Sequence, residues 1–224
     1  MNIREILKDT HELEIIQAMD KIYENIEEKQ SVWKQAAGFS CLDGCGDCCG
    51  HFEPDLLEGE ALYLAAWMLE NKPIVAKKIL TGTYESANNP DGCILFEPLS
   101  EYHCTVYEGR CLICRLFGYS GEWDKNGKSR WKPCRFYPAA KLLPFEHRMY
   151  SGEEMTQRFG CEPPVMSTFM ENALALTPDS NGQTLPLREA LRSALQRLMF
   201  IVHVKGYNGD DDNNDNDTPT PISA

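Results

Sequence analysis

Apolar positions in the first part of the chain recur with helical spacing. Ile15, Met19, Ile22, Ile26 and Trp33 follow one another at intervals of 4, 3, 4 and 7 residues, which puts them on one face of a helix. The pattern predicts a helix over 9–37, opened by an Asp9–Glu12 capping pair and stopped at Gly38. An irregular Gly-rich stretch over 39–53 follows. Pro54 then opens a second helical pattern over 55–71, with Leu56, Leu57, Leu64 and Trp67 on its buried side. Residues 73–81 read as a further short helix and 82–92 as a polar turn region. Over 93–137 the signals are short strands and turns, and Asn126–Gly127 predicts a type I′ hairpin turn. The span 153–175 is weakly helical, broken by Gly160 and the Pro163–Pro164 pair, and 176–185 is a linker. A last amphipathic helix covers 186–205, where Leu187, Leu191, Leu195, Leu198 and Val202 share a face, and Gly206 ends it.

These elements predict a mainly α fold around a small, irregular, Cys-rich α+β core at about 39–137. The long N-terminal helix and the C-terminal helix are expected to pack around that core. One domain is expected over 1–205. The remainder, 206–224, is low-complexity and acidic and predicts a disordered tail. Its aspartates lack the glycine and terminal glutamate of a calcium-binding loop.

Composition narrows the function. The chain has 224 residues, 42% of them hydrophobic and 25% charged, ordinary values for a globular protein. No apolar run is long enough to span a bilayer and the N-terminus has no apolar signal region. A cytoplasmic protein without a membrane partner is expected. The net charge is −12, which argues against broad binding to nucleic acid. Against that background, residues 110–135 hold seven Lys and Arg and two acidic residues. Arg110, Arg115 and Arg135 each adjoin a cysteine. Such cations favour thiolate and would offset the charge of a metal–thiolate centre. The alternative is an anion or nucleic-acid patch with Tyr119, Trp123, Trp131 and Phe136 as stacking surfaces.

The chemistry lies in ten cysteines, all within residues 41–161. Cys41, Cys45, Cys48 and Cys49 fall within nine residues, among glycines that permit tight turns. Cys93, Cys104, Cys111, Cys114 and Cys134 form a second group, and Cys161 stands apart. Reduced, clustered thiols point to soft-metal ligation, to zinc, copper(I) or iron–sulfur clusters. Disulfides or thiol redox chemistry are the alternative. Adjacent Cys48 and Cys49 are expected to point in different directions and to serve two centres. His51 and His103 lie beside the cysteines, with surface or supporting roles expected. The Cys41–Cys45–Cys48 spacing equals the radical-SAM triad, but Asp47 before Cys48 and the immediate Cys49 depart from it.

Two segments carry a family resemblance. One is Cys41, Cys45, Cys48 and Cys49, a CxxxCxxCC. The other runs from Cys104 through Tyr107 and Arg110 to Cys114, Arg115 and Phe117. Together with Cys93 they resemble the YkgJ-type cysteine-cluster family of zinc- or iron-chelating domains, over roughly 41–134. The resemblance implies about eight cysteine ligands for zinc or iron, an iron–sulfur cluster included. Seven map directly: Cys41, Cys45, Cys48, Cys49, Cys93, Cys104 and Cys114. The eighth is Cys134 or Cys161, with Cys134 favoured. Cys111 stands where the family has proline and is a further candidate. Three functions remain open: a metal-binding protein without catalysis, an iron–sulfur enzyme or redox protein (some relatives look like flagellin lysine N-methylases), and a module that binds a protein partner on a metal-stabilised scaffold.

Overall fold

The computed structural model describes residues 2–41, 45–86, 92–139, 142 and 145–206. The acidic tail expected from 206 lies, from 207 on, outside the described residues, as do 42–44 of the first cysteine motif and 87–91 of the polar turn region. The fold is mainly helical, with two small antiparallel sheets, as the sequence pattern predicts.

A short helix α1 (Ile3–Ile6) precedes the long helix α2 (His11–Ala37). The cap of α2 is Thr10, whose hydroxyl accepts from the Leu13 amide. Asp9, the expected cap, turns instead in a left-handed conformation. The buried stripe of α2 contains the expected Ile15, Met19, Ile26 and Trp33, together with Ile16, Tyr23, Gln30 and Ala37, while Ile22 is half-buried.

Asp55–Leu56 form not the start of a helix but strand β1, which pairs with β5 (Leu185–Pro186). Helix α4 (Glu58–Asn71) follows, after the small turn of helix α3 (Asp47–Gly50) earlier in the chain. Almost every residue of α4 is buried, not one side of it, and Trp67 is only half-buried. α4 packs most heavily on α2 and on α9 (Leu187–Val204), so the two long helices clasp α4 more than the cysteine segment. Helix α5 (Pro73–Thr81) matches its expectation. The five predicted apolar positions of α9 are all buried.

The middle segment supplies a 3₁₀ turn (Tyr107–Gly109), helix α6 (Leu112–Leu116) and strands β2 (Glu122–Trp123) and β3 (Ser129–Trp131). Strand β4 (Tyr150–Ser151) completes the sheet β2–β3–β4. The predicted hairpin is present, but its turn is not type I′. Only Gly127 has positive φ, at 73°. Asp124 Oδ1 accepts from the Asn126 and Lys128 amides and holds the turn in a longer form. Helices α7 (Gly152–Phe159) and α8 (Met166–Leu174) flank the predicted break.

Two hydrophobic clusters result. The larger gathers α1, most of α2, α4, α9 and the walls around Leu95 and Leu112. The smaller is aromatic: Trp33, Phe39, Trp131, Phe145 and Tyr150. Trp33 meets Trp131 edge-on at 5.3 Å and Phe159 at 5.7 Å, favoured geometries for aromatic pairs. Helix α2 thus begins in one cluster and ends in the other. Among the described residues no helix is long and apolar enough to cross a membrane.

Candidate metal centre

The two cysteine segments face each other across a cavity of about 300 Å³. Cys41, Cys45, Cys48 and Cys49 line it from the loop around α3. Cys93, Cys104, Cys111, Cys114 and Cys134 line it from the segment around α6 and β3. Nine of the ten cysteines therefore share one wall system, Cys134 and Cys111 among them. Cys161 does not: it packs on the aromatic cluster.

Local structure explains the convergence. The turn of α3 places Cys48 and Cys49 on successive positions, and the Cys93 amide donates to the Cys49 carbonyl at 3.1 Å. Phe96 and Cys104 bridge as a two-residue antiparallel pair, which folds the 93–104 loop back on itself. Cys111 caps α6 and Cys114 lies one turn on. The Leu112 amide at the start of α6 donates to Glu60 Oε1 at 2.7 Å. Buried Glu60 also accepts from Leu57, so one carboxylate ties α4 to the CxxC helix.

The Sγ atoms of Cys48 and Cys49 lie 3.8 Å apart, and those of Cys111 and Cys114 lie 3.3 Å apart. The expectation that Cys48 and Cys49 diverge is not met at the sulfurs. Zinc–sulfur bonds of about 2.3 Å in a tetrahedron place two thiolates about 3.8 Å apart. Among the described residues no three ligating side chains are already drawn into a coordination sphere; the thiols face a common space, not a common point.

The spacing sets how these thiols titrate. A hydrogen bond from Cys49 brings the Cys48 thiol down to about 7, and the same bond pushes Cys49 up. The bond to Cys111 pushes Cys114 up in the same way. Burial pushes Cys93 up to about 12 and raises Cys104 and Cys134. So many buried thiolates repel one another unless a cation offsets them. A dication does so, with release of protons. The donor set, soft and anionic when bound, fits zinc or iron.

The neighbouring cations divide. Arg115 does not serve the sulfurs. Its guanidinium is buried over the Tyr23 ring, pairs with Glu27 at 2.8 Å and donates to the Arg110 carbonyl. Arg135 lies over Phe136. Arg110 does line the cavity, as does Lys34 of α2, which sequence spacing gave no reason to place there. The stacking patch is not assembled either: Trp131 is buried, and Lys128 and Arg130 pair with Glu153 and Glu122. His103 adopts positive φ and its Nδ1 is buried without a hydrogen-bond partner, with its ring against Gly46.

The chain finds no match among curated proteins or solved structures. A family model does match, over residues 40–150, about half the chain. That span holds both cysteine segments and every thiol on the cavity, and leaves Cys161 outside. Over those residues the chain belongs to the CxxCxxCC family, described as a putative zinc- or iron-chelating domain.

Proposed function

We propose that the cysteines hold two metal ions in neighbouring four-coordinate thiolate centres, zinc being the first candidate. The observation that carries this reading is the placement of nine thiols on one cavity. Their mutual influence supports a division into two groups. Cys134 feels Cys48 and Cys45 most among the thiols, while Cys114 feels Cys111, Cys49 and Cys93, and the groups adjoin where Cys48 meets Cys49 and Cys104. An outer centre would use Cys41, Cys45, Cys48 and Cys134. An inner centre would draw on Cys49, Cys93, Cys104 and Cys114, with Cys111 as a spare or bridging sulfur. Cys48 and Cys49, with sulfurs 3.8 Å apart, would then mark where the two centres adjoin; in a cubane iron–sulfur cluster each thiolate sits on a different iron corner. Closed thiolate sites of this kind supply folding free energy and no open position for chemistry.

The second reading is an iron–sulfur protein. The roominess of the cavity favours it, since 300 Å³ exceeds what two bare ions fill. Metal and acid-labile sulfide analysis with an optical spectrum, on protein purified without oxygen, decides between them. Two zinc ions per chain and no visible absorbance is the expected result. Iron with sulfide and broad visible absorbance would replace it with the second reading, and a chain without bound metal would overturn both.

A further inference from the structure

The cavity has a second chemical character beside its thiols. Lys34 and Arg110 line it, and each is held against an aromatic face. The Lys34 ammonium lies 4.2 Å from the centre of the Tyr119 ring. The Arg110 guanidinium lies 3.8 Å from the centre of the Tyr107 ring and donates to the Tyr107 carbonyl at 3.1 Å. Tyr102 stacks on Tyr107 at 4.1 Å with 17° between the rings. All five side chains face the same space.

In this acidic chain most of the other arginines are paired with carboxylates. Among the described residues Lys34 and Arg110 are in no ion pair. Their charged heads rest on ring faces, which limits the side-chain freedom to be lost on binding. Burial depresses the Lys34 ammonium and Arg110 adds to this, while Cys41 and Glu27 oppose it. The Tyr119 hydroxyl accepts from the Cys41 amide and keeps its own proton to donate.

We propose that Lys34, Arg110 and Tyr119 form a binding subsite for a small organic anion, a carboxylate or phosphate held by the two cations. Arginine presents a planar fork to such groups and lysine a point charge. The net charge of −12 disfavours long polyanions and favours a small anion as the ligand of a local cation pair. The subsite goes beyond metal binding and stands whichever metal the thiols carry.

Calorimetric titration of the full, metal-loaded chain tests it with three probes: 2-naphthoate, 2-naphthyl phosphate and the neutral 2-naphthalenemethanol. At least one anion is expected to bind one to one, and about tenfold or more tighter than the alcohol, from charge-assisted hydrogen bonds. The tighter anion identifies the headgroup. Lys34→Gln, in a half-exposed helical position, should weaken the anion about tenfold, and Lys34→Glu more, with metal content unchanged. Arg110→Gln should do the same where it folds; the two Lys34 variants carry the test without it. Absence of anion binding, equal affinity for the alcohol, or unchanged anion affinity in Lys34→Glu would overturn the proposal. So would loss of metal as the only effect of Lys34→Gln, since the cations would then serve the thiolate charge. Metal content measured beside each titration keeps a failure of the subsite distinct from a failure of the metal centre.

Discussion

Glu60 is the buried charge on which the inner cysteine wall depends. Its carboxyl is 1% exposed and accepts one amide on each oxygen, Leu57 at 3.0 Å and Leu112 at 2.7 Å. Burial raises its titration from 4.5 to about 7, against those two hydrogen bonds. The folded state therefore binds the proton more tightly than the unfolded chain. The stability gained from this is full below about pH 4.5 and is lost as pH rises through about 7. At about 1.4 kcal/mol per pH unit the whole effect is roughly 3 kcal/mol. About 2 kcal/mol of it falls between about pH 5.5 and 7.5. Glu60→Gln removes the titration and leaves one acceptor for two buried amides, which costs about 1–3 kcal/mol. Guanidinium unfolding of both proteins at matched free zinc should show the variant less stable near about pH 5.5, with the gap narrowing by about 2 kcal/mol toward pH 7.5. A gap that stays constant or widens as pH rises would mean that Glu60 is ionised in the fold and would refute the reasoning.

Replacing Cys48 and Cys114 together by serine removes a ligand from each proposed centre. Bound metal should fall and the melting temperature drop on the order of 10 °C; unchanged stoichiometry and melting would sink the two-centre reading. Cys161→Ser, by contrast, should leave metal content as it is, because that thiol packs on the aromatic cluster. Gly109→Ala should cost about 1–3 kcal/mol in chemical denaturation, since the new methyl would meet the Trp67 ring at 2.5 Å; a neutral result would show that Trp67 has room to move.

The amphipathic helices were legible because they have one wet side. The stripes of α2 and α9 read directly, and so did the break between α7 and α8 at Gly160. α4 was misread as one-sided because it is enclosed by α2, α9 and α5, and a helix buried all round has no amphipathic signal. The division of the α2 stripe between two clusters was invisible, since Ile15 and Trp33 look alike along the sequence. At the site, local motifs marked the thiols but not their surroundings. Arg115 adjoins Cys114 in sequence yet turns back to Tyr23 and Glu27. Lys34 and Glu60 arrive from distant helices, and no spacing rule links either to a cysteine. The Asn126–Gly127 signal failed for a nearer reason: Asp124 offers two backbone amides a side-chain partner and so selects a longer turn.

The position of the cavity gives the metal a structural consequence. Phe39, Tyr119 and Tyr137 on its wall belong to or pack on the aromatic cluster, while Leu64, Leu95, Val106 and Cys111 belong to the larger core. The thiols thus stand where two hydrophobic clusters meet, joined also by the length of α2 and by the contact of α8 with β2. The short turn that carries Cys48 and Cys49 has no buried residue, so packing alone gives it little stability. Ligands drawn from both cysteine segments onto shared ions would close that seam with bonds stronger than any contact across it. The same closure would fix α6 and the Tyr107 turn, and with them Arg110, against Lys34 at the end of α2. Metal loading and anion binding are then expected to be coupled in one direction that can be measured: removal of the metal with a chelator should weaken the tighter naphthalene anion, and saturation with that anion should slow metal loss. Anion affinity independent of metal content would show that the seam is held by packing without help from the thiols.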